Sequence, residues 1–307
     1  MRPRSASERG FAVGVSGPFD LSLSLRAASR FTGGVAPDKL RIVARVGVRP
    51  VILEVSQKRK DSPLLWAASP SGAGREVRSI AAYVLQTDLD LSPFYEVALR
   101  DRRLGPVVRE LWGLRPLRPA SLFEMLITAI TEQQISMRVA EVMRHRLTSR
   151  FGGAVDGAPV FPDAGSLKDA TQDSLVGCGL SRRKAEYVRG ISKMVSSGEL
   201  DLEALKRLPD DEAFRVLTGV RGVGPWTADY VLVRGMGRLD RVPVEDLGIG
   251  RAVGKYLGEG LRVEDPGEVL PLLRPFAPYR GLAAYYLLVH ERLGAVPGAA
   301  TRGRRQP

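Results

Sequence analysis

The chain has 307 residues, with 46 Lys and Arg against 34 Asp and Glu and a formal net charge of +12. At about 100–200 residues per domain it makes two or three compact units, and 44% hydrophobic residues exclude a mainly disordered or collagen-like chain. The charge points to a polyanionic partner, nucleic acid or an acidic membrane face, while the single cysteine, Cys178, excludes an intrachain disulfide framework, a Cys-rich zinc module and a four-thiolate iron–sulfur cluster.

Met1 to Gly10 is basic and polar, and the apolar residues Phe11 to Val15 are too few for the ~7–15-residue core of a signal peptide. No run approaches the ~18 apolar residues of a membrane span, so the reading is a cytoplasmic protein with no membrane partner. Phe19, Leu21, Leu23 and Leu25 alternate with Asp20, Ser22 and Ser24, the period of a strand with one buried face. Leu40 to Val46 and Val51 to Val55 predict two further strands joined by a hairpin turn at Gly47 and Pro50. From Arg75 to Leu85, Val77, Ile80, Ala81, Val84 and Leu85 recur at helical spacing. Residues 1–97 therefore form an α+β unit.

Beyond Ser92 no convincing strand follows, and residues 98–307 read as all-α. Helical spacing marks Val107 to Trp112, Leu122 to Ile130, Met137 to Phe151, Arg183 to Val195, Leu202 to Leu208, Asp211 to Leu217, Trp226 to Met236, Gly248 to Leu257 and Leu282 to Leu293. Arg115 to Pro119 is the best boundary segment, since two prolines in five residues break any helix. By composition Met1 to Gly10 and the tail 296–307 are disordered.

Leu217 to Tyr230, LTGVRGVGPWTADY, is the most informative stretch. Gly222 and Gly224 flank Val223 in a turn that needs positive φ, and Pro225 suits the first position of a helix. Such a turn presents backbone N–H groups to a phosphate, though a plain helix–turn–helix connection uses the same residues. Asp246 follows at a distance that lets one helix run away and a loop return. It opens the next helix, where the dipole favours negative charge; an ordinary Asp N-cap would look the same. His145 and His290 lack acidic or thiol neighbours at ligand spacing, so no metal site is read. Arg182, Arg183 and Lys184 open a helix as a phosphate contact or simply as a solvated face, and the basic tail from Arg302 to Arg305 is equally ambiguous.

The run from Gly219 to Val253, GVRGVGPWTADYVLVRGMGRLDRVPVEDLGIGRAV, resembles the signature of the helix-hairpin-helix DNA glycosylases. FEMLITAITEQQISMRVA at Phe123 to Ala140 and GLSRRKAEYVRGI at Gly179 to Ile191 resemble the alkylation-repair branch, 3-methyladenine DNA glycosylase II. The resemblance implies a TATA-binding-protein-like sheet with helices, then two helical subdomains with the active cleft between them. One subdomain would span about 121–231, with the hairpin at 217–227; the other would join 98–120 to 232–295.

By position, the resemblance makes Asp246 the catalytic aspartate, preceded by the acid Glu245. Trp226 stands where bifunctional members keep a lysine nucleophile, which implies hydrolysis by water without a Schiff base. Trp226 and Tyr230, with Tyr286 and Leu288, would wall the base pocket, and Gln134 would fill the gap left by the extruded base. On the bare pattern, Trp226 and Tyr230 fit a helix core equally, and Gln133 and Gln134 fit a solvated helix end. Val220, Gly222, Gly224, Thr227, Gln133 and Ser136 would meet DNA. The implied partner is double-stranded DNA with a damaged base, met by a monomer without a cofactor, wherever the genome resides; a monovalent cation on the hairpin carbonyls is a family feature. The motifs place no titratable group besides Asp246 at the pocket, which suits an alkylated purine already carrying positive charge. The alternatives are a neutral lesion (8-oxoguanine, uracil or hypoxanthine) on the same fold, or a non-catalytic DNA-binding module.

Overall fold

The computed structural model describes residues 10–28, 39–47, 49–59, 62–70, 74–259, 263 and 265–294, so Met1 to Arg9 and the tail 296–307 lie outside the described residues. Strand β1 (Gly10–Gly14) and helix α1 (Leu21–Ala27) precede strands β2 (Lys39–Val46), β3 (Arg49–Ser56) and β4 (Leu64–Ala68), and helix α2 (Arg75–Leu85) closes this part. The four strands form an antiparallel sheet in the order β1-β4-β3-β2. The β2–β3 hairpin pairs Val46 with Arg49 across a turn in which Gly47 has φ +60°. Strand β1, two of whose five residues are glycine, has little intrinsic strand preference, and the Trp66 indole of β4 lies over Gly10.

The stretch from Phe19 to Leu25 is not a strand. Asp20 caps α1 by accepting from the Leu23 N–H at 2.9 Å, and the helix is wedged between two cores. Leu21 and Leu25 join the core beneath the sheet with α2, while Leu23 faces a helical core on the other side. Burial on two sides makes i, i+2 and i+4 all apolar, the period of a strand on a helical backbone.

Helices α3 (Ser92–Ala98) and α4 (Leu104–Glu110) come next, and the strap through Arg115 to Pro119 leads to α5 (Leu122–Glu132) and α6 (Met137–Phe151). The strap is pinned rather than loose. Arg115 is fully buried and donates to the Gln86, Ser16 and Pro18 carbonyls, and burial pulls its guanidinium down to about 10. A two-residue-per-strand hairpin, β5 (Ala154–Val155) with β6 (Ala158–Pro159), interrupts the helical region where no strand is expected. Then follow α7 (Ala164–Lys168), α8 (Gln172–Val176), α9 (Arg182–Ser197), α10 (Leu202–Leu205), α11 (Asp210–Thr218), α12 (Pro225–Val231), α13 (Leu247–Leu257), α14 (Pro266–Leu273) and α15 (Arg280–Gly294). One core joins α5 to α12 through Leu126, Ile130, Val188, Leu217 and Val231. Another joins α3 and α4 to α13, α14 and α15 through Phe94, Val108, Val253, Leu273 and Leu287. A pocket lined by Tyr230 from the first and Leu288 from the second lies where these two cores meet.

Candidate active site

Asp246 is the N-cap of α13. Its Oδ1 accepts from the backbone N–H of Gly248 at 2.8 Å and of Ile249 at 3.0 Å. That capping fixes the carboxylate and sets it at the positive end of the helix. The Trp226 indole N–H points at Oδ2, with Nε1 at 3.4 Å. One oxygen is thus spent on the fold and the other serves a pocket lined by Trp226, Tyr230, Asp246 and Leu288. Glu245 is exposed and stays out of that lining.

Trp226 and Tyr230 share a face of α12 and stack on one another, ring centroids 5.1 Å apart and 22° from parallel. They cannot sandwich a base between them; the free faces of the stack are what a planar ligand meets. Helix α12 then runs into a π-helical turn, Leu232–Met236, and Val233 and Arg234, three and four residues beyond Tyr230, continue its face along the pocket wall. Arg234 lies over the Tyr285 ring, 4.9 Å from its centroid.

Tyr286 is not brought to the pocket. It is fully buried, its hydroxyl donating to the Leu114 carbonyl at 2.7 Å and meeting the Tyr95 hydroxyl at 3.1 Å; Tyr285 takes the pocket position instead. The expectation that Asp246 is the pocket's single titratable group also fails, because Glu132, Arg234, Tyr285 and Arg292 line it too.

Gly219 ends α11 and Gly224 caps α12, so the hairpin has the expected shape. Of its three glycines, Gly222 alone has positive φ, +96°, and a Cβ there would sit 2.4 Å from the Tyr187 ring. Gly224 has φ −86° and faces open space, so the turn geometry does not demand glycine there. Val220 and Thr227 are buried rather than presented outward: they are 4% and 2% exposed, and the Thr227 hydroxyl accepts from the Gln133 amide at 2.9 Å. The same amide donates to the Gly222 carbonyl at 2.9 Å, tying the hairpin to the α5–α6 turn.

That turn projects Gln134, exposed and at φ +54°, a conformation costing a non-glycine residue on the order of 1 kcal/mol. Ser136 caps α6, accepting from the Val139 N–H. Lys184, read as a phosphate contact or a solvated face, braces the turn: its ammonium donates to the Thr131 and Gln133 carbonyls at 2.9 and 2.6 Å. A cation on the hairpin would have to share carbonyls already in use, Val220's by the Val223 N–H and Gly222's by Gln133. His290 bridges Tyr256 and Glu110, and no group of three His, Cys, Asp or Glu able to hold a metal occurs among the described residues.

A helical hairpin, a capped aspartate one helix and one loop downstream, and an aromatic-walled cleft meet here, and sequence comparison gives the class of protein they belong to. The model of the HhH-GPD superfamily of base excision DNA repair proteins matches residues 127–273. The chain belongs to that superfamily. A DNA-3-methyladenine glycosylase of Bacillus subtilis (strain 168) is 32% identical over 204 residues, which cover 65% of this chain and 67% of the relative. The structure of a 3-methyladenine DNA-glycosylase from Archaeoglobus fulgidus matches with a TM-score of 0.81 at 25% identity, covering 93% of this chain and 100% of the other. A 3-methyladenine DNA glycosylase of Schizosaccharomyces pombe, solved in complex with abasic DNA, matches with a TM-score of 0.57 at 27% identity over 64% of this chain and 95% of that one.

Proposed function

We propose that the protein is a monofunctional DNA glycosylase that extrudes an alkylated purine, such as 3-methyladenine, from duplex DNA and hydrolyses its N-glycosidic bond to leave an abasic site. The observation that carries this reading is the Asp246 carboxylate, anchored through Oδ1 and turned through Oδ2 to a pocket whose lining contains no lysine. Breaking the N-glycosidic bond develops positive charge on the sugar; a fixed carboxylate at C1′ stabilises it and orients the attacking water. The stack of Trp226 and Tyr230 offers a face to a cationic base, worth about 0.5–2 kcal/mol. Gln134 fills the space the base leaves, and Gln133 holds that turn against the hairpin. The net charge of +12 suits a polyanion, met here as a monomer on genomic DNA, wherever the genome resides. No helix among the described residues is long and apolar enough to cross a membrane. No step requires a cofactor, and none is routed through a hairpin cation.

The polar residues Arg234 and Tyr285 of the pocket favour a second reading in which the same aspartate serves a neutral lesion. A gel assay of alkali-labile sites on duplexes carrying single lesions tests both readings against a non-catalytic binder: catalysis makes abasic sites, and binding alone makes none.

The hairpin is the backbone clamp of this reading. Gly222→Val, which forces a β-branched side chain to positive φ and into Tyr187, is expected to weaken binding to damaged and undamaged duplexes alike by about tenfold or more, because phosphate contacts carry no sequence information. Titrations of both duplexes check this; a loss confined to one lesion would remove the hairpin from that role.

A further inference from the structure

The pocket holds one more acid than hydrolysis at Asp246 uses. Glu132 closes α5, a helix whose residues are nearly all buried, and its own side chain is 1% exposed. Its Oε1 accepts from Arg144 Nη1 at 2.5 Å, while its Oε2 is buried without a hydrogen-bond partner. Native structures rarely leave such an atom unmatched, and an apolar pair of similar volume would pack the same space at no electrostatic cost. Arg144 on one side and the field of Arg234 on the other supply counter-charge, and Glu132 lines the same pocket as Asp246 and Trp226. Glu132 lines the pocket and its Oε2 has no partner within the protein, so a donor on a base held there would complete it.

We infer that Glu132 reads the extruded base, its Oε2 accepting a hydrogen bond from the exocyclic amino group of the purine. The inference rests on the glycosylase reading above and narrows its substrate class to alkylated purines that keep an amino group. An ionised carboxylate only accepts, so it pairs with N–H and repels a keto oxygen in the same place. Alkylation strengthens the match, because a cationic ring makes its amino group a better donor and the contact charge-assisted. Hypoxanthine, the adenine frame with oxygen in place of the amino group, sets acceptor against acceptor and is disfavoured.

Glu132→Gln tests this, since the amide oxygen keeps the bond to Arg144 while an NH2 group turns to the pocket. Single-turnover release of 3-methyladenine is expected to fall about 10–100-fold, with hypoxanthine release unchanged or faster. Where hypoxanthine release is too slow to time, binding of the two duplexes to proteins carrying Asp246→Asn, with and without Glu132→Gln, gives the same comparison. Arg144→Lys changes the geometry of the ion pair but keeps its counter-charge, and is expected to leave the ratio between the two bases within about threefold of wild type. An equal fall for both bases in Glu132→Gln would overturn the inference, as would a larger loss for hypoxanthine, the mark of a proton donor to a neutral base. Those outcomes leave a wild type that releases 3-methyladenine and so spare the glycosylase reading; a wild type that releases no base from any duplex removes both.

Discussion

Asp246→Asn is expected to lower single-turnover base release roughly 10³-fold, about 4 kcal/mol of transition-state stabilisation, while fold and duplex binding survive. The substitution isolates charge because the structural role of the residue is separable. The Asn carbonyl oxygen can take the Gly248 and Ile249 N–H groups as Oδ1 does, and asparagine ranks with aspartate as an N-cap. What changes is the other atom: an NH2 group replaces Oδ2, faces the Trp226 indole N–H as donor to donor, and carries no charge to offset the sugar cation. Rates are read after subtracting spontaneous depurination, which a cationic base undergoes readily. Activity within about tenfold of wild type would take the chemistry away from Asp246.

Borohydride is expected to trap no enzyme–DNA adduct, with every strand break dependent on added alkali. A trapped imine needs an amine at the pocket, and the lining offers an indole where that amine would stand. The lysines nearest in sequence are occupied elsewhere: Lys206 pairs with Glu203 at 2.7 Å and lies over the Tyr83 ring, and Lys255 lies over the Tyr256 ring. A covalent band on a denaturing gel would contradict the hydrolytic mechanism and direct attention to those two side chains.

The parts of the molecule legible in the sequence are those whose signal is local. The β2–β3 hairpin follows from two β-rich runs about a turn, and α2, α6 and α13 follow from helical periodicity. Asp246 and the hairpin follow from a motif that is continuous along the chain. What escapes is set by packing between distant segments. Helix α1 imitates a strand because two cores bury it from opposite sides. Tyr285 and Tyr286 are neighbours, and a rotation of about 100° per residue decides which enters the pocket; the Leu114 carbonyl and Tyr95 hold Tyr286 in the core. A signal for the missed residues existed: Arg234 is a charge embedded in the apolar helical run YVLVRGM and Glu132 a charge closing the apolar run LFEMLITAITE, where an ion with no pocket to serve is costly.

The central claim is hydrolysis of a bond already weakened by positive charge on the base, and lesion order tests it most directly. Matched duplexes carrying one 3-methyladenine, 8-oxoguanine, uracil or hypoxanthine would be incubated with excess protein, and the freed base and abasic strand quantified over time. The account predicts that 3-methyladenine leaves fastest, as an intact base in step with an abasic site. A neutral base released faster, by single-turnover rate, would contradict it and move the protein to the neutral-lesion reading with Asp246 still in place.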